Sequence, residues 1–155
     1  MKKIDGFDRA ILKALQANGR ISTLELSDRI SLSPTATTER VKRLTKDGYI
    51  LGYHAALSPI LLNKSLLAYI EIKLENTGTE MSTFFNEAVL NVPDILECNM
   101  VAGGFDYLVK VRCTDMNAYR DLLGGVINQL PGVRETHTYA VIEEVKSTSS
   151  IPISE

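Results

Sequence analysis

The chain has 155 residues, 45% hydrophobic and 23% charged, the balance of a soluble globular protein of one or two small domains. Its net charge of -2 hides a polarity, since residues 1–55 carry ten Lys/Arg against six Asp/Glu while residues 56–155 carry seven against thirteen; a basic head for a polyanion and an acidic body are expected. No apolar run reaches the ~18 residues of a membrane span, Lys2 to Asp8 is too charged for the core of a secretory signal, and Cys98 and Cys113 alone make neither a disulfide framework nor a four-ligand zinc site. A cytoplasmic protein without metal, cofactor or membrane partner is therefore expected.

In chain order, Phe7, Ile11, Leu12 and Leu15 fall at helical spacing, with Asp5 or Asp8 suited to the helix start. Asn18-Gly19 is expected to stop this helix through a left-handed glycine. Ser22 with Glu25 forms a capping box for a second, short helix with Leu24, Leu26 and Ile30 on its apolar side. Ser33-Pro34 is a hydroxyl cap followed by proline at the first helical position, predicting a third helix to about Lys46, closed by Asp47-Gly48. On a helical wheel Thr37, Val41 and Leu44 share one side; Thr35, Ala36, Glu39, Lys42, Arg43 and Lys46 lie opposite, with Arg40 on the flank. A basic stripe alone is commonly just a solvated face. Three compact helices with this turn, followed by Gly48 to Tyr53 as the start of a strand or wing, form a helix-turn-helix pattern. Thr35 then faces base edges, Arg40 and Arg43 face guanines or phosphates, and Lys42 and Lys46 neutralise phosphate. The free N–H groups beside Ser33 are a further phosphate site.

A strand near Tyr53 to Leu57 and Ser58-Pro59 read as the connection between head and body. From Ser65 the period changes to two, and Leu66, Ala68, Ile70, Ile72 and Leu74 predict a strand with one buried face. Met81 to Leu90 is helical, Ile95 to Val101 and Tyr107 to Cys113 are strands, and glycines at positive φ are expected in the turn 102–106 between them. Asp115 caps a helix from Met116 to about Asn128; Leu130-Pro131-Gly132 breaks it before a last strand, Val133 to Val145. The order β-α-β-β-α-β is the ferredoxin-like split unit, with both helices on one sheet face. Leu67, Tyr69, Tyr107 and Val109 are expected around the other face, which as an apolar patch calls for a second copy and a two-fold dimer. The predicted architecture is α+β, an N-terminal winged helix-turn-helix (1–53), a linker strand (54–64) and a ferredoxin-like αβ-sandwich for sensing and oligomerisation (65–155).

Gly19-Arg20-Ile21-Ser22, Glu25-Leu26-Ser27, Leu32-Ser33-Pro34-Thr35, Glu39-Arg40-Val41-Lys42-Arg43-Leu44 and Gly48-Tyr49-Ile50 resemble the DNA-binding head of the Lrp/AsnC (feast/famine) regulators. Phe105-Asp106-Tyr107-Leu108, Thr114-Asp115-Met116, Leu130-Pro131-Gly132-Val133 and Glu143-Glu144-Val145-Lys146 resemble the body of that family, with most likeness to its leucine-responsive branch. The resemblance spans residues 4 to 153. It implies a sequence-specific transcriptional regulator that binds double-stranded DNA, dimerises through the body and assembles towards octamers, its assembly or DNA affinity tuned by leucine or another small amino acid. The implied DNA-contacting set is Ser22, Ser33, Pro34, Thr35, Ala36, Thr38, Glu39, Arg40, Lys42, Arg43 and Lys46. The implied effector pocket lies between dimers and takes Met100, Val101, Ala102, Gly103, Gly104, Phe105, Asp106, Tyr107, Met116, Tyr139, Ala140 and Val141. The family commonly has an acidic residue where this chain has Gly104. A carboxylate there pairs with a ligand ammonium and glycine does not, which leaves three alternatives: Asp106 substitutes, the pocket takes another ligand, or this chain does not respond to amino acids.

An amino-acid sensor with low-specificity, architectural DNA binding is the second reading. Catalysis is not expected, because His54, His137, Cys98 and Cys113 form no paired base and nucleophile, and strand cysteines more often serve as small hydrophobes. An RNA-binding body is disfavoured, because its strands lack the aromatic, Gly-rich signature.

Overall fold

A computed structural model describes residues 3–76 and 78–154, which form two compact units: residues 3–56 with 146–154, and the described residues of 57–145. In the first unit, α1 (Gly6–Ala17), α2 (Thr23–Ile30) and α3 (Pro34–Lys46) close over Ile11, Ala14, Leu26, Ile30 and Leu44. Each of the leucines and isoleucines, once fully buried, contributes about 1.5–3 kcal/mol. All three N-termini are capped as the sequence demands. Asp5 and Asp8 bond reciprocally at α1, Ser22 and Glu25 at α2, and Ser33 Oγ accepts the Ala36 N–H at 3.2 Å at α3.

The first helix stop uses other chemistry than expected, whereas the second and third fall at Ser31 and Asp47-Gly48 as expected. Asn18, not a left-handed glycine, ends α1 in extended conformation, and Gly19 is held by the approach of the Tyr53 ring, 3.2 Å from where a Cβ would stand. Ser31 ends α2 at φ 56°, and Gly48 follows α3 at φ +79°. No strand forms over residues 48–57. The expected linker strand is absent because nothing within the described chain pairs with it, and residues 59–63 form a turn closed by Lys64 N–H to Pro59 O at 2.7 Å. Residues 146–154 group with the helices, not with the body, and Gln16 bonds Ile151 twice, donating to its carbonyl (2.9 Å) and accepting its N–H (2.8 Å).

The second unit is a four-stranded antiparallel sheet in the order β2-β3-β1-β4, from β1 (Leu66–Leu74), β2 (Ile95–Met100), β3 (Tyr107–Cys113) and β4 (Val133–Ala140). Helices α4 (Thr79–Leu90) and α5 (Met116–Gly125) bury Phe85, Val89, Tyr119 and Leu122 against Ala68, Ile70, Ile72, Val109 and Val111. This is the ferredoxin-like order. Helix α5 ends earlier than expected and passes into a 3-10 turn, Ile127–Gln129, while β4 stops at Ala140 instead of Val145. β4 has β1 as its partner, and the β1 ladder ends with Ala68 opposite Ala140.

Two further expectations fail on the sheet. Tyr107 and Val109 face the helices, fully in the core, because β3 pairs Tyr107 with Ile72 and Val109 with Ile70. The opposite face is not a bare apolar patch. Cross-strand ion pairs Lys110–Glu97 (2.8 Å) and Lys73–Glu135 (3.3 Å) lie on it, with Arg112–Glu144 (2.6 Å) and His137–Glu135 (2.9 Å) beside them.

Candidate DNA-binding and effector sites

The candidate DNA-contacting residues fall mainly on α3. Thr37 and Leu44 are buried, and Thr37 closes its own polarity by donating to Ser33 O at 3.0 Å. The 3.6-residue period therefore turns Thr35, Glu39, Lys42 and Lys46 fully outward, with Ala36 and Thr38 partly exposed. Ser33 and Ser22 spend their hydroxyls on capping, and Thr38 donates to Pro34 O at 2.9 Å. Thr35 has no such partner among the described residues.

The cations of α3 fall into two groups. Arg40 Nη1 donates to Asp5 Oδ2 (2.7 Å) and Asp8 Oδ1 (2.8 Å), and Arg43 Nη2 donates to the same Asp8 oxygen at 2.5 Å. Arg40 also stacks over Phe7, 5.4 Å from the ring centroid. Asp8 is only 1% exposed. Burial pushes its carboxyl up, but hydrogen bonds from Arg43, the Asp5 backbone and Arg40 outweigh that and leave it below the usual carboxylate range. Asp5 is lowered too, first by the Asp8 backbone N–H and then by Arg40, whose own pKa Asp5 raises. Lys42 meets only Glu39, at 3.0 Å, with both side chains two-thirds exposed, and Lys46 has no partner among the described residues. Arg40 and Arg43, expected at guanine edges or phosphates, are paired with Asp8 of α1, Arg43 while still exposed.

The part played by Asp8 was not read from the sequence beyond its fitness for a helix start. The signal was there. Asp8 is three residues before Ile11 on the apolar stripe of α1, and a carboxylate on a buried stripe needs cationic partners.

The expected effector residues do not meet in one chain. Met100 to Tyr107 occupy the turn between β2 and β3, whereas Met116 and Tyr139 to Val141 stand at the opposite end of the sheet, where β3 closes with Cys113 opposite Leu66 and β4 with Ala140 opposite Ala68. The seven residues of β3 separate the two groups by about 20 Å. Met100, Met116 and Tyr139 are more than half exposed, and Glu71 beside Tyr139 raises its hydroxyl pKa. Tyr119 ties α5 to β4 through Thr138, hydroxyl to hydroxyl at 2.5 Å.

In the turn, Val101 N–H donates to Asp106 O and Asp106 N–H to Ile72 O, both at 2.9 Å, while Asp106 Oδ2 accepts the Leu74 N–H at 2.8 Å. The carboxylate expected to replace the missing acid at 104 is thus engaged with β1. Gly103 and Gly104 are not at positive φ, and a Cβ on either meets nothing within 4 Å. Tyr107, counted among the effector residues, is buried against Phe85 at 4.4 Å between ring centroids. Burial raises the thiol pKa of Cys98 and Cys113, the wrong direction for a nucleophile. Among the described residues no helix is long and apolar enough to cross a membrane.

A three-helix head with one side of α3 exposed, followed by a ferredoxin-like body, defines a DNA-binding regulator with an appended sensing domain. Residues 4–50 match the winged helix-turn-helix DNA-binding family, and residues 67–151 match the Lrp/AsnC ligand binding domain. The chain is 49% identical over 152 residues to the leucine-responsive regulatory proteins of Escherichia coli K12 and Klebsiella pneumoniae, covering 98% of this chain and 93% of theirs. A Neisseria meningitidis transcriptional regulator solved in complex with L-Met superposes with a TM-score of 0.91 at 34% identity, covering 97% of each chain. An AsnC family regulator from Agrobacterium tumefaciens gives 0.91 at 27% identity, over 96% of this chain and 97% of that one. The chain belongs to the Lrp/AsnC family of transcriptional regulators.

Proposed function

We propose that this DNA-binding, amino-acid-modulated regulator reads duplex DNA through the outward side of α3, with Thr35, Ala36 and Thr38 at base edges and Lys42 and Lys46 on phosphates. Ser22, Ser33 and Pro34 act by presenting capped helix starts, and Glu39 flanks the reading face. The observation that carries this is the outward turn of Thr35, Lys42 and Lys46 above a helix side that is otherwise buried or tied down. Each phosphate neutralised contributes about 0.9 to the slope of log K against log salt. A salt titration on duplex DNA tests the reading. A steep loss of affinity with salt, flattened by Lys46→Ala, supports it; a slope near zero ends it.

The effector we propose is leucine or another small amino acid. With no carboxylate at 104 and Asp106 holding Leu74, recognition falls on the ligand's carboxylate and side chain. The two groups of effector residues, set at opposite ends of the sheet, support a pocket completed between copies of the chain, hence a homodimer assembling further, with the protein acting in the cytoplasm and without catalysis. A thermal-shift series over the twenty amino acids tests this. A true effector stabilises by about 2.7 kcal/mol at a hundredfold excess over its Kd, and a flat response to all twenty overturns the sensing role.

A further inference from the structure

We propose that Asp8 is a specificity-determining residue: its carboxylate holds Arg40 and Arg43 of α3 away from the phosphate backbone, so that binding to arbitrary duplex stays weak. This rests on the reading that α3 faces DNA.

The argument starts from how the carboxylate is held. Asp8 Oδ1 takes both arginine bonds while Oδ2 accepts the Asp5 N–H at 3.1 Å, so both oxygens are committed and the group is fixed by the capping box of α1. It lies inside the protein, whereas the Glu39–Lys42 pair is open to water and dissolves readily when a phosphate approaches. Drawing an arginine off Asp8 leaves a buried carboxylate less compensated, which is strongly unfavourable. Non-specific binding is driven by phosphate neutralisation with release of counterions. A phosphate that draws Arg43 off its single bond to Asp8 exchanges one anionic partner for another and leaves the buried carboxylate less compensated, so Arg43 stays where it is on arbitrary sequence. A guanine edge offers a planar bidentate acceptor, and Arg43, at 44% side-chain exposure, is the one of the pair with room to reach outward. The helix thus meets random DNA with its two lysines and keeps its arginines for a site that offsets the loss of Asp8.

The test compares salt slopes on a random-sequence 30-base-pair duplex and affinities for a duplex enriched from a random pool with the wild-type protein. Asp8→Asn is expected to bind the random duplex more tightly, steepen its slope by about 0.9 for each arginine released, and lower the preference for the enriched duplex; adding Arg43→Gln should cancel most of that gain. A folded Asp8→Asn with an unchanged or flatter slope overturns the proposal. If that variant does not fold, the wild-type arginine side-chain NMR signals decide. Arg43 Nη resonances undisturbed by saturating random duplex support it, and resonances shifted by random duplex overturn it. Lys46→Ala separates this from the underlying reading. If it leaves the wild-type slope unchanged, α3 is not on the DNA and the proposal falls with that placement. If it flattens the slope while Asp8→Asn does nothing, only the role of Asp8 is lost.

Discussion

The head and the body organise their working residues in opposite ways. In the head, the residues proposed to meet DNA lie on the single helix α3, and their partners Asp5 and Asp8 lie one helix away in the same unit. In the body, the residues proposed to meet the effector are spread over a turn, a helix start and a strand end at opposite ends of the sheet. A site on one helix is complete when the helix is. A site spread over a sheet is decided by register, and the pocket proposed for this body needs another copy to complete it.

The comparison is broken most forcefully through the two cores. Leu44 is 1% exposed beneath α3 and Val109 is fully buried beneath the sheet, in separate clusters. Leu44→Ala should cost the head about 2–5 kcal/mol. Amide hydrogen exchange would show lost protection in α1 to α3 with β1 and β3 retained, and equal loss in both units would refute the division.

A smaller effect distinguishes the body's glycines. Gly132 sits at φ +72°, and a Cβ there would run into the Met81 sulfur, whereas Gly103 has ordinary backbone and open space. Gly132→Ala is expected to lower stability by about 1–2 kcal/mol from the backbone alone, more with the collision, and Gly103→Ala to leave the melting temperature nearly unchanged. Comparable losses in the two would mean that the turn 101–106 is more constrained than its geometry indicates.

The mildest test is acid. Asp5 and Asp8 have folded pKa values below their unfolded ones, so the unfolded head binds more protons in that window and stability falls with falling pH. The contribution is complete above the ordinary aspartate value of ~3.9 and is lost progressively below it. Denaturant midpoints of the wild type should drop below about pH 4, and Asp8→Asn, already lower at neutral pH, should show a shallower drop. A parallel pH profile for the two would remove Asp8 from the acid response.

Periodicity, caps and turn residues were enough to read every helix, the four body strands and the family's two-part plan, because those signals are local: Ser22 with Glu25, Ser33 with Pro34, the alternation from Leu66 to Leu74. They misplaced Tyr107 and Val109, since alternation tells that a strand has two faces but not which one meets the helices until the pairing with Ile72 and Ile70 is known. They also missed that Arg40 and Arg43 pair with Asp8, since a helical wheel shows one helix and Asp8 belongs to another. The turn over 102–106 forms, but the positive φ expected at its glycines does not, for a related reason: glycine permits positive φ without requiring it.

By itself, then, the amino-acid order determined what each segment becomes and which class of molecule its head is charged to meet. Only the folded chain decided which cations remain free to meet it and that the effector residues stand apart in one copy. Backbone preference and apolar spacing act over a few residues, whereas an ion pair such as Asp8 with Arg43, or a strand register, joins positions far apart in the chain that only packing brings within reach.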